Sequence, residues 1–476
     1  MTQETIARLR DYVASRREEI IRDLFSLVRV PSVKGAPEPG APQGRPCREA
    51  LDTALALFER EGLSGEICSD GRYALARRPG GPHTIGVFTH CDVVPVTDDW
   101  ILTRPFEPVE HDGCLVGRGV HDNKAGVIMA LYALAAARDL GLPLGCGVTV
   151  FLGASEETGM EDVDAFAAEQ PMPDVSLVPD NEYPVCLGEK GICHLWATSD
   201  APLTVVREIA GGVAPNVILD HVTATIAPVP GLLEQLRAAV ACDEHCELSA
   251  TEEQITLTAR GVTAHGSMPA GSLNALKVLL RVLTACPALG ADRHLLARVR
   301  AWLEDDWGAP FGIACDDPEF GPTTATNGVV ATADGRLSLS FDVRYGTSLA
   351  SADVEAALTS AFARAGFRIT KMHNSPGFSI PRDEPDAVAL IEAYRQLSGD
   401  ADSPVIYSGG GTYARHLTHA FSCGCEAPYL HRDLDLPQGH GGIHQSDESI
   451  SVEGLLESIA LFTAMLVDLD ATYADR

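Results

Sequence analysis

The sequence is poor in basic residues relative to acidic ones. It contains 36 Lys and Arg against 66 Asp and Glu, which gives a formal net charge of −30. Nucleic acids and anionic membranes are recognised through basic surfaces, so this balance argues against both as partners. A large net charge also keeps a chain dispersed and carries no information about fold. A more specific interpretation is that some of the carboxylates bind metal cations.

The sequence also lacks long hydrophobic runs and a regular cysteine framework. The longest apolar run lies at residues 126–137, well short of the roughly 20 residues that span a bilayer. The first 20 residues are charged and amphipathic, without the apolar core of a signal peptide. The 13 cysteines are odd in number and scattered. These features predict a reduced, cytoplasmic protein that does not bind membranes.

Aromatic residues are few, at 6%, but a hydrophobic content of 45% is typical of a globular protein with a sizeable core. The length of 476 residues favours two or three domains. Up to about residue 190, apolar strands alternate with helical patterns, which predicts βαβ units and a largely parallel sheet. The first 30 residues or so read as one helix, and another is predicted near 49–61. Residues 191–384 instead contain strands with the alternation of a half-exposed antiparallel sheet. The sequence therefore predicts an α/β domain, 1–190 and 385–476, interrupted by an α+β insertion, 191–384.

Acidic residues and histidines stand where predicted strands or glycine-rich turns end. The candidates in chain order are His90 and Asp92 after TIGVFT, Asp122 in GRGVHDNKAG, Glu156 and Glu157 after VTVFLGAS, Asp180 in VSLVPD, and His444 in GHGGIHQSDES. In open α/β sheets, sites form at the carboxyl ends of the strands. Taken singly, each residue has a structural explanation. A histidine can be hydrogen-bonded, an aspartate can cap a helix and a glutamate pair can be solvated. As a set, they predict one site.

The donors of this set fit a metal centre. Imidazoles and carboxylates are the ligands that suit zinc, with cobalt or manganese as alternatives. Two neighbouring ions need a carboxylate that bridges them. In an extended segment alternate residues share a face, so Asp92 can bind the ring nitrogen of His90 that does not face the metal and fix its tautomer. Cys91 would then point elsewhere, although a softer site with Cys91 as a ligand stays open.

At these residues the chain resembles the dinuclear zinc family of aminoacylases, carboxypeptidases and dipeptidases. The shared motifs are His-x-Asp, Gly-Arg-Gly-x-x-Asp-x-Lys-x-Gly, Glu-Glu, Asp and a late His, all present in order between His90 and His444. The resemblance implies a zinc-hydrolase catalytic domain, 1–190 and 385–476, and a lid domain, 191–384. It also implies two divalent ions per chain.

The resemblance also implies roles for individual residues. His90 and Asp180 would bind one ion, and Glu157 and His444 the other, with Asp122 bridging both. Glu156 would be the general base, and Asp92 would orient His90. These assignments follow from the position of each residue within the shared motifs.

Within that family the chain is most similar to the PepV-type bacterial dipeptidases, through the stretches GGVAPNVILDH, GVTAHGSMPAGSLNAL, LSFDVRYG and SGGGTYARHL. This resemblance implies that Asn216 and His265 stabilise the oxyanion. It also implies that Arg344, with Gly410 and Gly411 in a glycine-rich turn, holds the substrate carboxylate. A surface role for His265 and an ion pair for Arg344 are the structural alternatives. Asn123 departs from the pattern, which tends to have a second acid there, and we expect a changed surrounding but no lost metal.

Three functions remain open at this stage. The first is a dipeptidase acting on small peptides. The second is an N-acyl amino acid amidohydrolase, or deacylase, with the same metal centre, and the third is a catalytically silent binding protein. Because the long insertion would let His265 act within its own chain, a monomer is favoured over a homodimer.

Overall fold

A computed structural model describes residues 1–474. Its helices are α1 (Gln3–Ser15), α2 (Arg17–Val28), α3 (Arg45–Arg60), α4 (Lys124–Asp139), α5 (Glu161–Glu169), α6 (Leu232–Val240), α7 (Ala275–Thr284), α8 (Ala291–Trp302), α9 (Ser351–Arg364), α10 (Pro385–Ser398) and α11 (Val452–Ala471). Among these residues, none of the helices has the length and apolar character needed to cross a membrane.

The strands are short and numerous. They are β1 (Ser64–Cys68), β2 (Tyr73–Arg78), β3 (Thr84–His90), β4 (Val109–His111), β5 (Cys114–Val116), β6 (Gly147–Gly153), β7 (Val175–Asn181), β8 (Cys186–Glu189), β9 (Gly191–Ser199), β10 (Val206–Gly211), β11 (His221–Ile226), β12 (Cys246–Ala250), β13 (Ile255–Arg260), β14 (Asp316–Asp317), β15 (Gly321–Pro322), β16 (Thr324–Thr326), β17 (Val330–Ala333), β18 (Arg336–Tyr345), β19 (Phe367–Ser375), β20 (Phe378–Ser379), β21 (Ile406–Ser408), β22 (Ala420–Gly424) and β23 (Ser449–Ser451).

The chain divides into two compact units. Unit 1 comprises Met1–Gly188, Ile380–Ile406 and the described residues from Gly411 onward, and unit 2 comprises Glu189–Ser379 with Tyr407–Gly410. Tyr407–Gly410 therefore group with unit 2, although the sequence-based division left them in the first domain. The functional division into a catalytic domain and a lid stays a proposal.

Unit 1 is built on a mixed sheet whose centre is parallel. Its strands run in the order β1-β2-β6-β3-β7-β22-β8. The neighbours β6-β3, β3-β7 and β7-β22 pair in parallel, whereas the outer pairs are antiparallel. Fourteen residues of α4 are buried, and α11 packs against α4. Both helices are strongly apolar because they form part of the core.

The parallel centre places several strand ends at one edge of the sheet. β3 ends at His90, which pairs in register with Gly153 at the end of β6. β7 runs to Asn181, and so carries Asp180 to the same edge. A 3-10 turn, Glu156–Thr158, follows β6 directly. The α/β prediction is thereby confirmed where it matters for the candidate site.

Unit 2 contains an antiparallel sheet in the order β12-β13-β11-β10-β17-β18-β9-β19. Alternate residues of β9 are buried, which is the pattern of a strand with one covered face. Trp302, Phe311, Phe341 and Phe362 meet in an aromatic cluster within its core. The predicted α+β character is therefore observed.

The prediction of one helix over the first 30 residues is wrong. Two helices are present, and the chain leaves helical geometry at Arg16, with φ −102° and ψ 9°. No proline or glycine marks this position, and the apolar residues keep their helical spacing on both sides of the break. The break therefore could not be read from the sequence. The hydrophobic pattern indicates which face of a helix packs against the core, but it does not reveal a change of helix direction at a single residue.

Buried thiols make the stability of the protein sensitive to alkali. Burial raises the pKa of Cys47, Cys91 and Cys193 to about 12, from a usual value of 9.0. Above pH 9 the unfolded chain loses these protons while the folded chain keeps them, so stability must fall as pH rises towards 12. Each thiol lowers the free energy of unfolding by about 1.4 kcal/mol per pH unit in this window. Lys124, whose pKa burial lowers from 10.5 to about 8, opposes this loss below pH 10.5.

Urea unfolding in reductant at pH 8, 9, 10 and 11 measures the effect. We expect the midpoint to fall above pH 9. Cys193→Ala should reduce by one the number of protons released on unfolding and so make the fall of stability with pH shallower. Cys242→Ser, at an exposed thiol, should leave the pH dependence of stability unchanged. A midpoint independent of pH up to 11 would contradict the assignment of buried thiols to this effect.

Candidate metal centre

One group of potential ligands lies at the edge of the unit 1 sheet. His90, Asp122 and Asp180 each offer one ligand atom, and these atoms lie within 4.8 Å of one another. His90 Nε2 is 3.0 Å from Asp122 Oδ1 and 3.7 Å from Asp180 Oδ2. The His90 side chain is 1% exposed. The Asp122 side chain faces this imidazole, and the cap of α4 is Asn123, which makes no capping bond with its side chain.

A second group shares Asp122 with the first. Asp122, Glu157 and His444 also place ligand atoms within 4.8 Å of one another. His444 Nε2 is 2.9 Å from Asp122 Oδ2 and 2.9 Å from Glu157 Oε1. One oxygen of Asp122 therefore faces each group. A solvated glutamate pair is excluded for Glu157, because its side chain is only 8% exposed.

Acidic groups outnumber basic ones at this edge, and their pKa values show it. Burial, followed by the nearby Asp122 carboxylate, raises the pKa of Asp180 to about 8. The same two causes raise the pKa of Glu157, and burial raises that of Glu156 well above its usual range. Burial alone would lower the pKa of His444, but its bonds to Asp122 and Glu157 raise it to about 11. Crowded buried carboxylates require cations to balance them, so the donor set fits divalent metal.

Asp92 holds the turn that carries both glutamates. Its Oδ1 accepts a hydrogen bond from the Glu156 backbone N–H and its Oδ2 accepts one from the Glu157 N–H, both at 3.2 Å. His90 Nδ1 lies 3.0 Å from the Asp92 carbonyl oxygen and 3.5 Å from its carboxylate. The orienting role expected of the Asp92 side chain stays a prediction, and the backbone carbonyl is the nearer partner of the imidazole.

Asn123 lies where an acid was expected, and its amide contacts the first group. Its Nδ2 donates to Asp180 Oδ1 at 2.9 Å and to the carbonyl oxygen of Pro179. Its Oδ1 accepts from the backbone N–H of His90 at 3.4 Å. The Asn123 amide carries N–H groups and can therefore donate a hydrogen bond to Asp180. An ionised aspartate at this position could only accept hydrogen bonds.

Other buried residues near the ligands were missed by sequence reasoning. Asp162 Oδ2 accepts from the backbone N–H groups of Ala154 and Ser155 and from the Tyr413 hydroxyl. Arg118 and Glu448 form a buried ion pair beside Asp122. The available signal was a charged residue inside each motif, GRG and HQSDES, but charge alone does not distinguish buried from solvated positions.

In unit 2, the loops carrying Asn216 and His265 lie side by side. The backbone N–H of Gly266 donates to the Asn216 carbonyl oxygen at 2.7 Å, and Val217 forms an isolated bridge with His265. The Ser267 hydroxyl is 2.7 Å from His265 Nδ1. The imidazole is exposed, and its ring is oriented by its own loop.

Arg344 is buried in unit 2, where it forms an ion pair with Asp342 and a hydrogen bond to a backbone carbonyl group. Its Nε and one terminal nitrogen donate to the two oxygens of Asp342 at 2.7 and 3.1 Å. The other terminal nitrogen donates to the Gly409 carbonyl oxygen at 3.0 Å. Each terminal nitrogen retains a second N–H, which is the fork that grips a carboxylate. Gly410, next to Gly409, belongs to unit 2, and Gly411 belongs to unit 1.

A third group of possible ligands comprises Glu384, Asp386 and His419. Asp386 already accepts hydrogen bonds from the Thr472 and Tyr473 hydroxyls, and its Oδ2 lies 3.1 Å from His419 Nε2. This group is a hydrogen-bonded junction between α10, the His419 segment and the end of α11.

The family model of peptidase family M20/M25/M40 matches residues 86–468. The chain therefore belongs to this peptidase family, and it is an enzyme, a metallopeptidase. The family resemblance drawn from the motifs is confirmed, and a catalytically silent binding protein is excluded.

Similar proteins match nearly the whole chain. "Putative dipeptidase YtjP" of Bacillus subtilis (strain 168) is 27% identical over 474 residues, with 96% of this chain and 98% of that protein covered. "Putative dipeptidase SAUSA300_1697" of Staphylococcus aureus (strain USA300) is 26% identical over 485 residues, with 98% of each chain covered.

Solved structures share the fold. Human carnosine dipeptidase 1 superposes with a TM-score of 0.58 at 17% identity, covering 98% of this chain and 99% of that one. The di-peptidase Dug1p of Saccharomyces cerevisiae superposes with a TM-score of 0.60 at 12% identity, covering 99% of each.

Proposed function

We propose that the protein is a dipeptidase that hydrolyses the peptide bond of small peptides at a two-metal centre. The observation that carries the proposal is Asp122, whose two oxygens face two separate groups of ligands. Support for the substrate comes from the two relatives described above, which carry the name "Putative dipeptidase" and are matched over 98% of their lengths.

The residues divide into two ligand sets. His90 and Asp180 would hold one ion and Glu157 and His444 the other, with Asp122 bridging. Two divalent ions, zinc by preference and cobalt or manganese as alternatives, lower the pKa of a water molecule and polarise the scissile carbonyl when bound.

Glu156 acts as the general base. It takes a proton from the attacking water as the water oxygen bonds to the carbonyl carbon. When the carbon–nitrogen bond breaks, Glu156 delivers that proton to the departing amine. Its burial supports this role, because the carboxyl already has a raised affinity for a proton. Asp92 positions Glu156 through the backbone bond described above.

The proposal assigns the remaining roles to residues of unit 2 and to Gly411 of unit 1. Asn216 and His265 stabilise the oxyanion, and their adjacent loops support a joint action. Arg344 and the turn at Gly410 and Gly411 hold the free carboxylate of the substrate. In this proposal 191–384 is the lid, and 1–190 with 385–476 is the catalytic domain.

Metal content and a substrate panel test the proposal together. Elemental analysis should find about two ions per chain, and Ala-Ala or β-Ala-His should be cleaved before chelation, not after it, and again once metal is restored. N-acetyl amino acids serve as the comparison substrates. Faster release from these would shift the function to an acyl amino acid amidohydrolase with the same centre.

Arg344→Ala is expected to act on substrates with a free carboxylate. Charge-assisted hydrogen bonds contribute about 1.5–3 kcal/mol, so kcat/KM for Ala-Ala should fall by about 10- to 100-fold. Alanine amide derivatives, which lack the charge, should be affected far less. Arg336→Ala is the matched control, since it removes an arginine from the same strand that donates to the Ser199 carbonyl oxygen. Equal losses on both substrates would remove Arg344 from carboxylate recognition.

A further inference from the structure

We propose that the buried Arg118–Glu448 pair is a positioning device that fixes the separation between Asp122 and His444, and so sets the affinity for the ion held by Asp122, Glu157 and His444. This inference rests on the two-metal centre proposed above. Neither residue contacts the substrate or an ion in the proposed mechanism.

Glu448 organises the turn that ends in Asp122. The residue is fully buried, and its Oε1 accepts hydrogen bonds from the backbone N–H groups of Gly119, His121 and Asp122, each at 3.1 Å. Three donors converging on one carboxylate oxygen form strong, charge-assisted bonds. The direction in which Asp122 leaves the turn is therefore set by Glu448.

Arg118 extends the same network to His444. One terminal nitrogen donates to Glu448 Oε2 at 2.6 Å, and the other donates to the His444 carbonyl oxygen at 3.1 Å. The guanidinium is planar and rigid, so it fixes the spacing between the two acceptors that it joins. The chain of bonds runs from the Asp122 backbone through Glu448 and Arg118 to the His444 backbone.

The His444 loop needs such an anchor. His444 and Asp447 adopt φ angles of 65° and 56°, in the left-handed region that non-glycine residues rarely occupy. Such conformations persist where surrounding contacts over-determine them. Asp447 contributes by accepting from the backbone N–H groups of Ile101 and Leu102. Only the Arg118 bond, among the contacts described for this network, reaches the backbone of His444 itself.

A stabilising role alone does not explain the arrangement. Attraction within a buried ion pair is largely offset by the cost of desolvating both charges. The pair instead joins two loops separated by more than 300 residues of sequence, each of which carries a ligand for the same proposed ion. Partners that orient metal ligands typically change metal affinity by about 10- to 100-fold when removed.

The test is a titration of the full-length apoprotein with Co²⁺, followed by calorimetry and by visible absorption, which reports ligand geometry. Glu157→Gln removes a ligand of the ion held by Asp122, Glu157 and His444. The absorption band that disappears in this variant therefore belongs to that ion. Glu448→Gln is expected to lower the affinity for that same ion by about 10- to 100-fold. The affinity for the other ion should change by less than about twofold. The glutamine amide can satisfy either the three N–H groups or Arg118, but not both.

Two further variants separate positioning from stability. Asp470→Asn alters another buried carboxylate of unit 1, which accepts from the backbone N–H groups of Gly145 and Cys146. It should lower the melting temperature without changing either Co²⁺ affinity. Arg118→Lys keeps the charge but lacks the rigid guanidinium fork. It should lower the affinity for the same ion by a smaller factor than Glu448→Gln does. If Glu448→Gln does not fold, Arg118→Lys decides the test.

Unchanged affinity for both ions in folded Glu448→Gln and Arg118→Lys would overturn the inference, as would an equal loss in Asp470→Asn. The unaltered protein distinguishes this failure from that of the proposed function. If the unaltered protein bound fewer than two Co²⁺ ions, the proposed two-metal centre would be overturned. The inference about the Arg118–Glu448 pair, which rests on that centre, would then be overturned as well.

Discussion

Replacing Glu156 with glutamine should remove turnover and leave the metals in place. General base catalysis contributes about 10²- to 10⁴-fold to rate, so kcat should fall by that amount. Glutamine has nearly the same size as glutamate and cannot accept a proton at neutral pH. The backbone N–H of residue 156 would still bind Asp92, so the turn that carries Glu157 should keep its position.

Steady-state kinetics on Ala-Ala together with elemental analysis measures both parts of this prediction. Glu182→Gln is the matched control, because Glu182 is an exposed glutamate that follows β7 at the same edge of the sheet. It should retain activity and metal. A folded Glu156→Gln variant that turned over within tenfold of the unaltered enzyme would mean that the base is another group.

Replacing Asp122 with alanine should cost the protein both ions. Each oxygen of this carboxylate faces a different ligand group, so a single truncation removes one donor from each. His90 and His444 would also face each other across a space without the negative charge between them. We expect less than one ion per chain after gel filtration, against about two for the unaltered protein, and no peptide cleavage.

Asp386→Asn supplies the control for this result. Asp386 is also a buried aspartate beside a histidine, but its oxygens are engaged by two hydroxyl groups. Its replacement should lower stability and leave metal content unchanged. A full complement of metal in Asp122→Ala would refute the bridging assignment.

The fold could be predicted where hydrophobic pattern and position coincide. The runs that became β3, β6 and β7 are continuous and apolar because both faces of the sheet are covered there. The same pattern does not report direction, so the antiparallel outer strands β1 and β2 could not be told from the parallel centre. The alternation in the segments that became β13 and β18 predicted an antiparallel sheet with one exposed face, and unit 2 contains an antiparallel sheet.

For the candidate site, the sequence named side chains but not their contacts. His90, Asp122, Glu157, Asp180 and His444 could be selected because each follows a strand or a glycine-rich turn. The role of Asp92 in orienting His90 stays a prediction, but the hydrogen bonds from the backbone of the glutamate turn to the Asp92 carboxylate could not be foreseen. Such contacts depend on backbone groups, which every residue carries, and leave no trace in the residue types. Glu448 and Arg118 escaped notice for a different reason, because a charged residue type does not show whether the side chain is buried or solvated.

The discontinuity of unit 1 has a consequence for the order in which the molecule can be made. β22 pairs with β7, and α11 packs on α4, although unit 2 separates these partners along the chain. A ribosome therefore releases all of unit 2 before the strand that completes the first sheet. Domains generally fold as units during synthesis, so unit 2 can fold while the sheet of unit 1 still has an open edge. Until His444 emerges, the nascent chain holds the ligands of only one proposed ion, and it remains inactive as a peptidase throughout that interval.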